Sequence, residues 1–361
     1  MRILYVTETL DDRLDPLSAR VTHALARMAQ REGHRVQVVT VPVAGGAAAA
    51  QSMHVSAPHL VDGVQVSASR RMAPDGPPQL PPWLAGQAFD LVHVAGHPAC
   101  QALVEAQDLV RLPSVLTLCS LPMQSVALHP ASLYVVPSAY AAQQWQDACP
   151  GRHFRVMPHG IDLLQLIQAR QAQAARRTSG QAPVLLCLGP FDEASGVHKL
   201  LAAFAEVGRP ELRLHLQGGL DPSSGFGREL VSAAGADPRV RLTIGASPSS
   251  LSSVLEPFDL VCLPSLQASA FSLQAHECVA LGIPCLASEL GAQAEALRHG
   301  QKGQLLAPGE VRGWAAAIDR WASSFEPFGQ ERVEGQVPLR IEEEVFFYEG
   351  WYRDLVFSHW S

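Results

Sequence analysis

The chain has 361 residues, of which 47% are hydrophobic and 17% charged, and its formal net charge is −7. That length exceeds one ordinary core and implies two domains, with enough apolar surface to exclude disorder on a large scale. The acidic balance argues against a nucleic-acid partner, whose phosphates demand a strong basic field.

MRILYVTETLDD opens on a short apolar run, Ile3–Thr7, that soon turns acidic, so it reads as a first strand and not as a signal peptide. A helix is expected from Leu17 to Arg31, ended by Gly33, with Val36–Thr40 as the next strand. Arg20, Arg27, Arg31 and Arg35 then read as a solvated helix face and helix end. Residues 42–88 are rich in Pro, Gly and Ala, a long excursion expected to carry one or two short strands around Val64–Ser67. The alternation resumes with strand Leu91–Val94, helix Ala99–Leu109, and strands Ser114–Leu118 and Leu133–Val136.

Residues 163–182 are polar and helix-forming with a Ser-Gly break, the composition of an inter-domain connection. A second series follows: Val184–Leu188, Leu212–Gln217, Val240–Ile244, Leu260–Leu263 and Pro284–Ser288, with helical segments between. Alternating strands and helices predict parallel sheets covered on both faces. The stretch Ile341–Trp360 is amphipathic and aromatic, so it must pack on something, and is expected to cross back onto the first domain. The expected domains are 1–165, joined by 341–361, and 166–340. A crevice at the strand C-terminal ends would take an anionic or nucleotide ligand at helix N-termini.

The seven cysteines are Cys100, Cys119, Cys149, Cys187, Cys262, Cys278 and Cys285. They form no CxxC pair, so no zinc or redox motif is supported, and reduced thiols in a cytoplasmic protein are expected. His93 and His97 lie four apart without a third ligand, so no metal is expected. No apolar run is long enough to span a membrane, which leaves peripheral membrane contact open.

Pro264 to Glu310, PSLQASAFSLQAHECVALGIPCLASELGAQAEALRHGQKGQLLAPGE, resembles the nucleotide-sugar site of the group 1 (family 4) retaining glycosyltransferases. Gly33-His34, the DLVHV of Asp90–Val94, the PHGID of Pro158–Asp162 and the glycine-ended strand Cys187–Gly189 follow in that family's order. The resemblance implies the GT-B fold: two doubly wound Rossmann-like domains facing across a cleft, donor on the second and acceptor on the first. It also implies a nucleotide diphosphate as leaving group, whose charge must be met by cations or N–H groups. No separate cofactor is implied; the nucleotide sugar is the donor substrate.

Carried over by position, Glu277 matches the family glutamate that grips the ribose, placed here at the start of a helix, and Ser269 stands where the family's first glutamate contacts the donor sugar. The diphosphate clamp has Pro190 for arginine and Ser195 for lysine after Gly189, with His198 and Lys199 as neighbours able to substitute. Losing two charge-assisted hydrogen bonds costs about 3–6 kcal/mol. Pro16-Leu17 replaces a Gly-Gly turn, and Cys119 falls at the family's histidine. The loop Ala268–Ser272 offers backbone amides for phosphate, so Ala270, Phe271 and Ser272 join Gly189, Ser195 and Lys199 as donor-binding candidates, with Glu277, Ser269 and Cys119 as catalytic ones. His159 and Glu295 read as structural, and Asp162 as the cap of a following turn.

Three functions stay open at this point. One is a divergent glycosyltransferase that cradles the diphosphate with helix N-termini. Another is a degenerate pseudo-enzyme, which kept the scaffold and acts through a protein partner. The third is a different enzyme on the scaffold, such as an epimerase or phosphorylase.

Overall fold

The computed structural model describes residues 1–8, 16–41, 59–61, 63–71, 78–96, 99–106, 109–122, 128–176, 181–245, 250–298, 303–324 and 338–360. The strands are β1 (Arg2–Thr7), β2 (Arg35–Thr40), β3 (His59–Val61), β4 (Val64–Ala68), β5 (Arg70–Arg71), β6 (Pro78–Gln79), β7 (Leu91–Ala95), β8 (Ser114–Thr117), β9 (Leu133–Val136), β10 (Phe154–Val156), β11 (Val184–Leu188), β12 (Arg213–Gly218), β13 (Val240–Ile244), β14 (Leu260–Leu263), β15 (Cys285–Ser288) and β16 (Gly303–Leu306). The helices are α1 (Pro16–Arg31), α2 (Ala99–Ala106), α3 (Ala139–Ala148), α4 (Leu163–Arg176), α5 (Val197–Glu206), α6 (Gly225–Ala236), α7 (Leu273–Leu281), α8 (Gly291–Arg298), α9 (Val311–Ser323) and α10 (Ile341–Trp360).

Two compact units result: Met1–Gly160 with Leu339–Ser361, and Ile161–Pro338. The first carries an eight-stranded sheet in the order β10-β9-β8-β7-β1-β2-β4-β3, parallel except for the antiparallel β3–β4 pair. The second carries a six-stranded parallel sheet in the order β13-β12-β11-β14-β15-β16. Strands covered on both faces read as continuous apolar runs, and β7, β8, β11, β14 and β15 are buried along their whole length.

The sequence places the short strands of the 42–88 excursion correctly at β4, while β3, β5 and β6 are additions. Residues 42–58 and 72–77 of that excursion lie outside the described residues. The helix expected to reach Leu109 ends at Ala106, and Leu109–Arg111 forms a 3₁₀ turn.

The polar stretch expected to connect domains is instead a packed element of the second unit. Leu166 and Gln173 of α4 are buried; Gln173 Nε2 donates to the Val254 carbonyl at 2.7 Å and Arg170 Nη1 to that of Phe258 at 2.9 Å. Arg170 also lies over the Phe258 ring, 5.1 Å from its centroid. Polar side chains that satisfy buried carbonyls dock a helix without an apolar stripe, so hydropathy alone misreads it.

The last helix packs in the core of the first unit, where Val345, Tyr348 and Tyr352 join Ile3, Tyr5, Leu25 and Val36. Burying each such side chain contributes about 1.5–3 kcal/mol. Polar ties fix its register. The Tyr348 hydroxyl and Thr117 Oγ1 are 2.9 Å apart, Thr117 Oγ1 lies 2.8 Å from His93 Nε2, and His93 Nδ1 meets the Tyr352 hydroxyl.

At the helix start, the Glu344 carboxylate is 3.0 Å from His159 Nδ1 and accepts the Gly160 N–H at 2.7 Å. His159 therefore serves the fold. Among the described residues, no helix is long and apolar enough to cross a membrane.

Candidate functional site

An open parallel sheet offers its ligand crevice where successive crossovers run in opposite directions, at the strand C-terminal ends. In the second unit that point lies between β11 and β14. The loop after β11, residues 189–196, and the loop after β14, residues 264–272, leave from it side by side. Leu266 N–H donates to the Ala194 carbonyl at 2.8 Å, joining the two.

Glycine makes this closure possible. Gly196 has φ 70°, and a Cβ there would lie 2.0 Å from the Pro264 carbonyl oxygen. At Gly291, the first residue of α8, a Cβ would lie 2.9 Å from the Ser269 backbone, and the Ala292 N–H donates to the Ser269 carbonyl at 3.1 Å. Ser269 is thereby held at the surface with its side chain exposed.

Ala270 and Phe271 are buried, and the Phe271 ring stacks on His276 with centroids 4.4 Å apart. Ser272 caps α7, its Oγ accepting the Ala275 N–H at 3.4 Å. The N–H groups of Leu273 and Gln274 in the first turn have no intrahelical acceptor. Phe271 and Ser272 thus shape the turn with their side chains, and the Leu273 and Gln274 N–H groups are donors that this helix start offers.

Two sequence-predicted residues are engaged in hydrogen bonds within the chain. Glu277 lies in the middle of α7 and is 1% exposed. Its Oε1 accepts from Ser250 Oγ at 2.5 Å and its Oε2 from the Leu251 N–H at 2.8 Å. It ties α7 to the 3₁₀ turn at Leu251–Ser253. Ser195 closes a local turn: its hydroxyl donates to the Asp192 carbonyl at 2.6 Å, and its N–H donates to Asp192 Oδ1 at 2.7 Å. The one proton that could reach a phosphate is already committed.

Lys199 stands in the first turn of α5, half-buried, making no ion pair among the described residues. Its Cγ is 4.0 Å from where a Cβ on Gly309 would sit, and Leu266 borders the same spot. His198 instead lines a cavity of about 540 Å³ between α5 and α6, edge-on to Phe226 with centroids 5.6 Å apart. Burial first, then the charge of Lys199, lowers its pKa. The imidazole is therefore neutral near pH 7, and Lys199 is the cation of this helix start. Gly189 ends β11, its N–H donating to the Gln217 carbonyl at 2.9 Å.

In the first unit the corresponding point lies between β1 and β7. It holds a carboxylate that sequence reasoning missed: Glu8, just past β1, accepts from Ser18 Oγ at 3.3 Å and abuts the backbone at Gly96. An acidic residue directly after a first strand is the signal that points to it. Cys119, just beyond β8, is half-buried with its Sγ 3.9 Å from the Thr117 carbonyl. His93 is fully buried beneath α10, and desolvation pushes its pKa down to about 3. His97 lies outside the described residues. Arg20, expected on a solvated face, is half-buried and donates to the Gly160 carbonyl at 3.1 Å. Asp162 caps α4, its Oδ1 accepting the Gln165 N–H at 2.9 Å.

Residues 18–164 match a family model described as Glycosyltransferase Family 4, and residues 182–324 one described as Glycosyl transferases group 1. A D-inositol 3-phosphate glycosyltransferase of Rhodococcus opacus is 31% identical over 210 residues, 53% of this chain and 46% of that protein. The chain thus spans about half the length of that curated relative. Among solved structures, sucrose-phosphate synthase from Thermosynechococcus elongatus superposes with a TM-score of 0.76 at 18% identity, covering 99% of this chain and 100% of that one. Anabaena HepE in complex with UDP superposes with a TM-score of 0.65 at 19% identity, covering 99% and 96%.

Proposed function

From the premise that this chain belongs to the group 1, family 4 glycosyltransferases, of GT-B fold, we propose that it transfers a sugar from a nucleotide-sugar donor to an acceptor with retention at the sugar carbon. The observation that carries the proposal is the α7 start that follows the loop closed at Gly196 and Pro264, with Lys199 in the first turn of α5 bordering Gly309 and Leu266. Backbone N–H groups at a helix start hold phosphate without arginine. As the bond between the sugar carbon and the diphosphate oxygen breaks, negative charge grows on that oxygen, and fixed donors lower the barrier by meeting it there. The Leu273 and Gln274 N–H groups and the Lys199 ammonium fill that role. The exposed Ser269 hydroxyl offers a hydrogen bond to the donor sugar.

Glu277 acts as a positioning residue, holding the turn that begins at Ser250. The reading involves no metal ion. Uridine diphosphate is the first probe, since HepE was solved with it. Calorimetric titration with UDP, GDP, ADP and their sugars should give binding that weakens about tenfold or more in Lys199→Ala, the loss of one charge-assisted hydrogen bond. Absence of binding to every one of these ligands refutes the proposal.

One observation favours the degenerate alternative: the clamp positions hold Pro190 and a Ser195 whose hydroxyl is spent on Asp192. Binding of a nucleotide sugar without turnover or hydrolysis, alongside a stably co-purifying partner, would decide for that reading. Pro190→Arg with Ser195→Lys should then raise nucleotide affinity.

A further inference from the structure

The groove between α5 and α6 has no part in the proposed transfer. Its volume is about 540 Å³, within the range of clefts that take small organic ligands, roughly 300–1,000 Å³. Most of its length is apolar. Leu201, Ala202 and Ala205 of α5 line one wall, and Leu230 and Ala233 of α6 the other. The alanines keep it open, since longer side chains there would interdigitate and fill the space between the helices.

The end at the helix starts is polar. Glu193 and Glu229 line it, together with the His198 ring set edge-on to Phe226. Neither carboxylate has an ion pair or a hydrogen bond among the described residues, while Glu193 acts electrostatically on the imidazole. His198 Nδ1 is buried and has no hydrogen-bond partner among the described residues. In the tautomer protonated at Nε2 that nitrogen is an acceptor, and an N–H brought to it removes the cost of leaving it unpaired.

The cations nearest in sequence are engaged elsewhere. Lys199 borders Gly309, and Arg228 donates to the Ser223 carbonyl. Asp237, at the opposite end, is already paired with Arg239 at 2.7 Å. The charge left over in the groove is therefore negative and gathered at one end, beside an aromatic ring.

We propose that this groove is a binding site for a small organic ammonium, a protonated amine carried on an apolar, ring-sized body. The ammonium lies among Glu193, Glu229 and the His198 nitrogen, with Phe226 as the adjoining π-surface. The body lies between Leu201 and Leu230. Two uncompensated carboxylates repel an anion, so a phosphate or a nucleotide does not suit the groove. The proposal does not rest on the glycosyltransferase reading, and its test uses no nucleotide.

The probe is tryptamine, titrated calorimetrically into the full chain. Tryptophol and indoleacetate are the controls, the same ring system carrying a hydroxyl or a carboxylate in place of the amine. Tryptamine should bind with a dissociation constant of about 1 mM or lower, tryptophol about tenfold more weakly or worse, and indoleacetate not measurably. Glu193→Gln with Glu229→Gln should weaken tryptamine about tenfold or more. Ala202→Trp and Ala233→Trp fill the groove from opposite walls; both positions are exposed, so each should abolish binding and leave the thermal midpoint unchanged. No binding of tryptamine to the unsubstituted chain would overturn the proposal. So would binding that persists in both groove-filling variants, or equal affinity for tryptophol. A dimer in sedimentation that Ala202→Trp disrupts, with no tryptamine bound, would overturn it in favour of a contact between copies.

Discussion

The two units close their sheets by different means. In the first, a helix from the far end of the sequence is held by buried polar ties: Thr117, His93, Tyr348 and Tyr352 on one stretch, Glu344 with His159 and Gly160 on the other. In the second, the loops at the strand C-terminal edge meet backbone to backbone at Gly196 and Gly291, over a core of aliphatic, aromatic and thiol side chains. Polar ties specify one docking position, because a half-made network in a low-dielectric interior is costly. Glycine contacts instead let two backbones meet with no side chain between them.

The sharpest way to break this contrast is Gly196→Val. A branched side chain would have to occupy φ 70° with its Cβ against the Pro264 carbonyl. The expected loss is about 4 kcal/mol or more, read as the urea midpoint, and nucleotide binding should vanish with it. A small loss would mean that the loops are not closed through this glycine.

Glu344→Ala removes the acceptor of Gly160 N–H and His159 Nδ1 inside the first unit, and should cost about 2–5 kcal/mol by denaturation. Glu344→Gln keeps an acceptor and should recover part of that. Equal losses in the two variants would show that packing, and not the polar tie, holds the helix.

A third expectation concerns pH. The fold keeps His93 neutral down to about pH 3, whereas the unfolded chain takes up the proton near the ordinary value of 6.5. Stability present above pH 6.5 is therefore lost as pH falls toward 3, by about 2 kcal/mol at pH 5. His93→Gln should flatten this window in a denaturation series at several pH values. An unchanged slope would place the proton uptake elsewhere. The smallest effect on stability is expected for Lys199→Ala, within about 0.5 kcal/mol, although its effect on nucleotide affinity is the one that matters for the second unit.

Much of the fold was legible in the chain. Val184–Leu188 and Leu260–Leu263 announce themselves as strands because a parallel strand covered on both faces has no polar side to interrupt its run. Ile341–Trp360 was legible as a helix that must dock, since its aromatics cannot all face water. The site was less legible. Glu277 matches a ligand-gripping position in sequence, yet its contacts with Ser250 and Leu251 come from another loop. Ser195 looks like a lost lysine and proves to be the lock of a turn with Asp192.

What the amino-acid order determined by itself is local: the periodicity that makes strands and helices, the caps, and the glycines without which Gly196 and Gly291 could not be approached. Only the tertiary structure decided which polar groups those elements use up. It sent His93 beneath α10, gave Arg170 and Gln173 carbonyl partners, and left Lys199 as the cation beside the α5 start. The physical reason is that whether a polar side chain is buried, paired or free depends on what folds against it from elsewhere in the chain, and no local pattern carries that information.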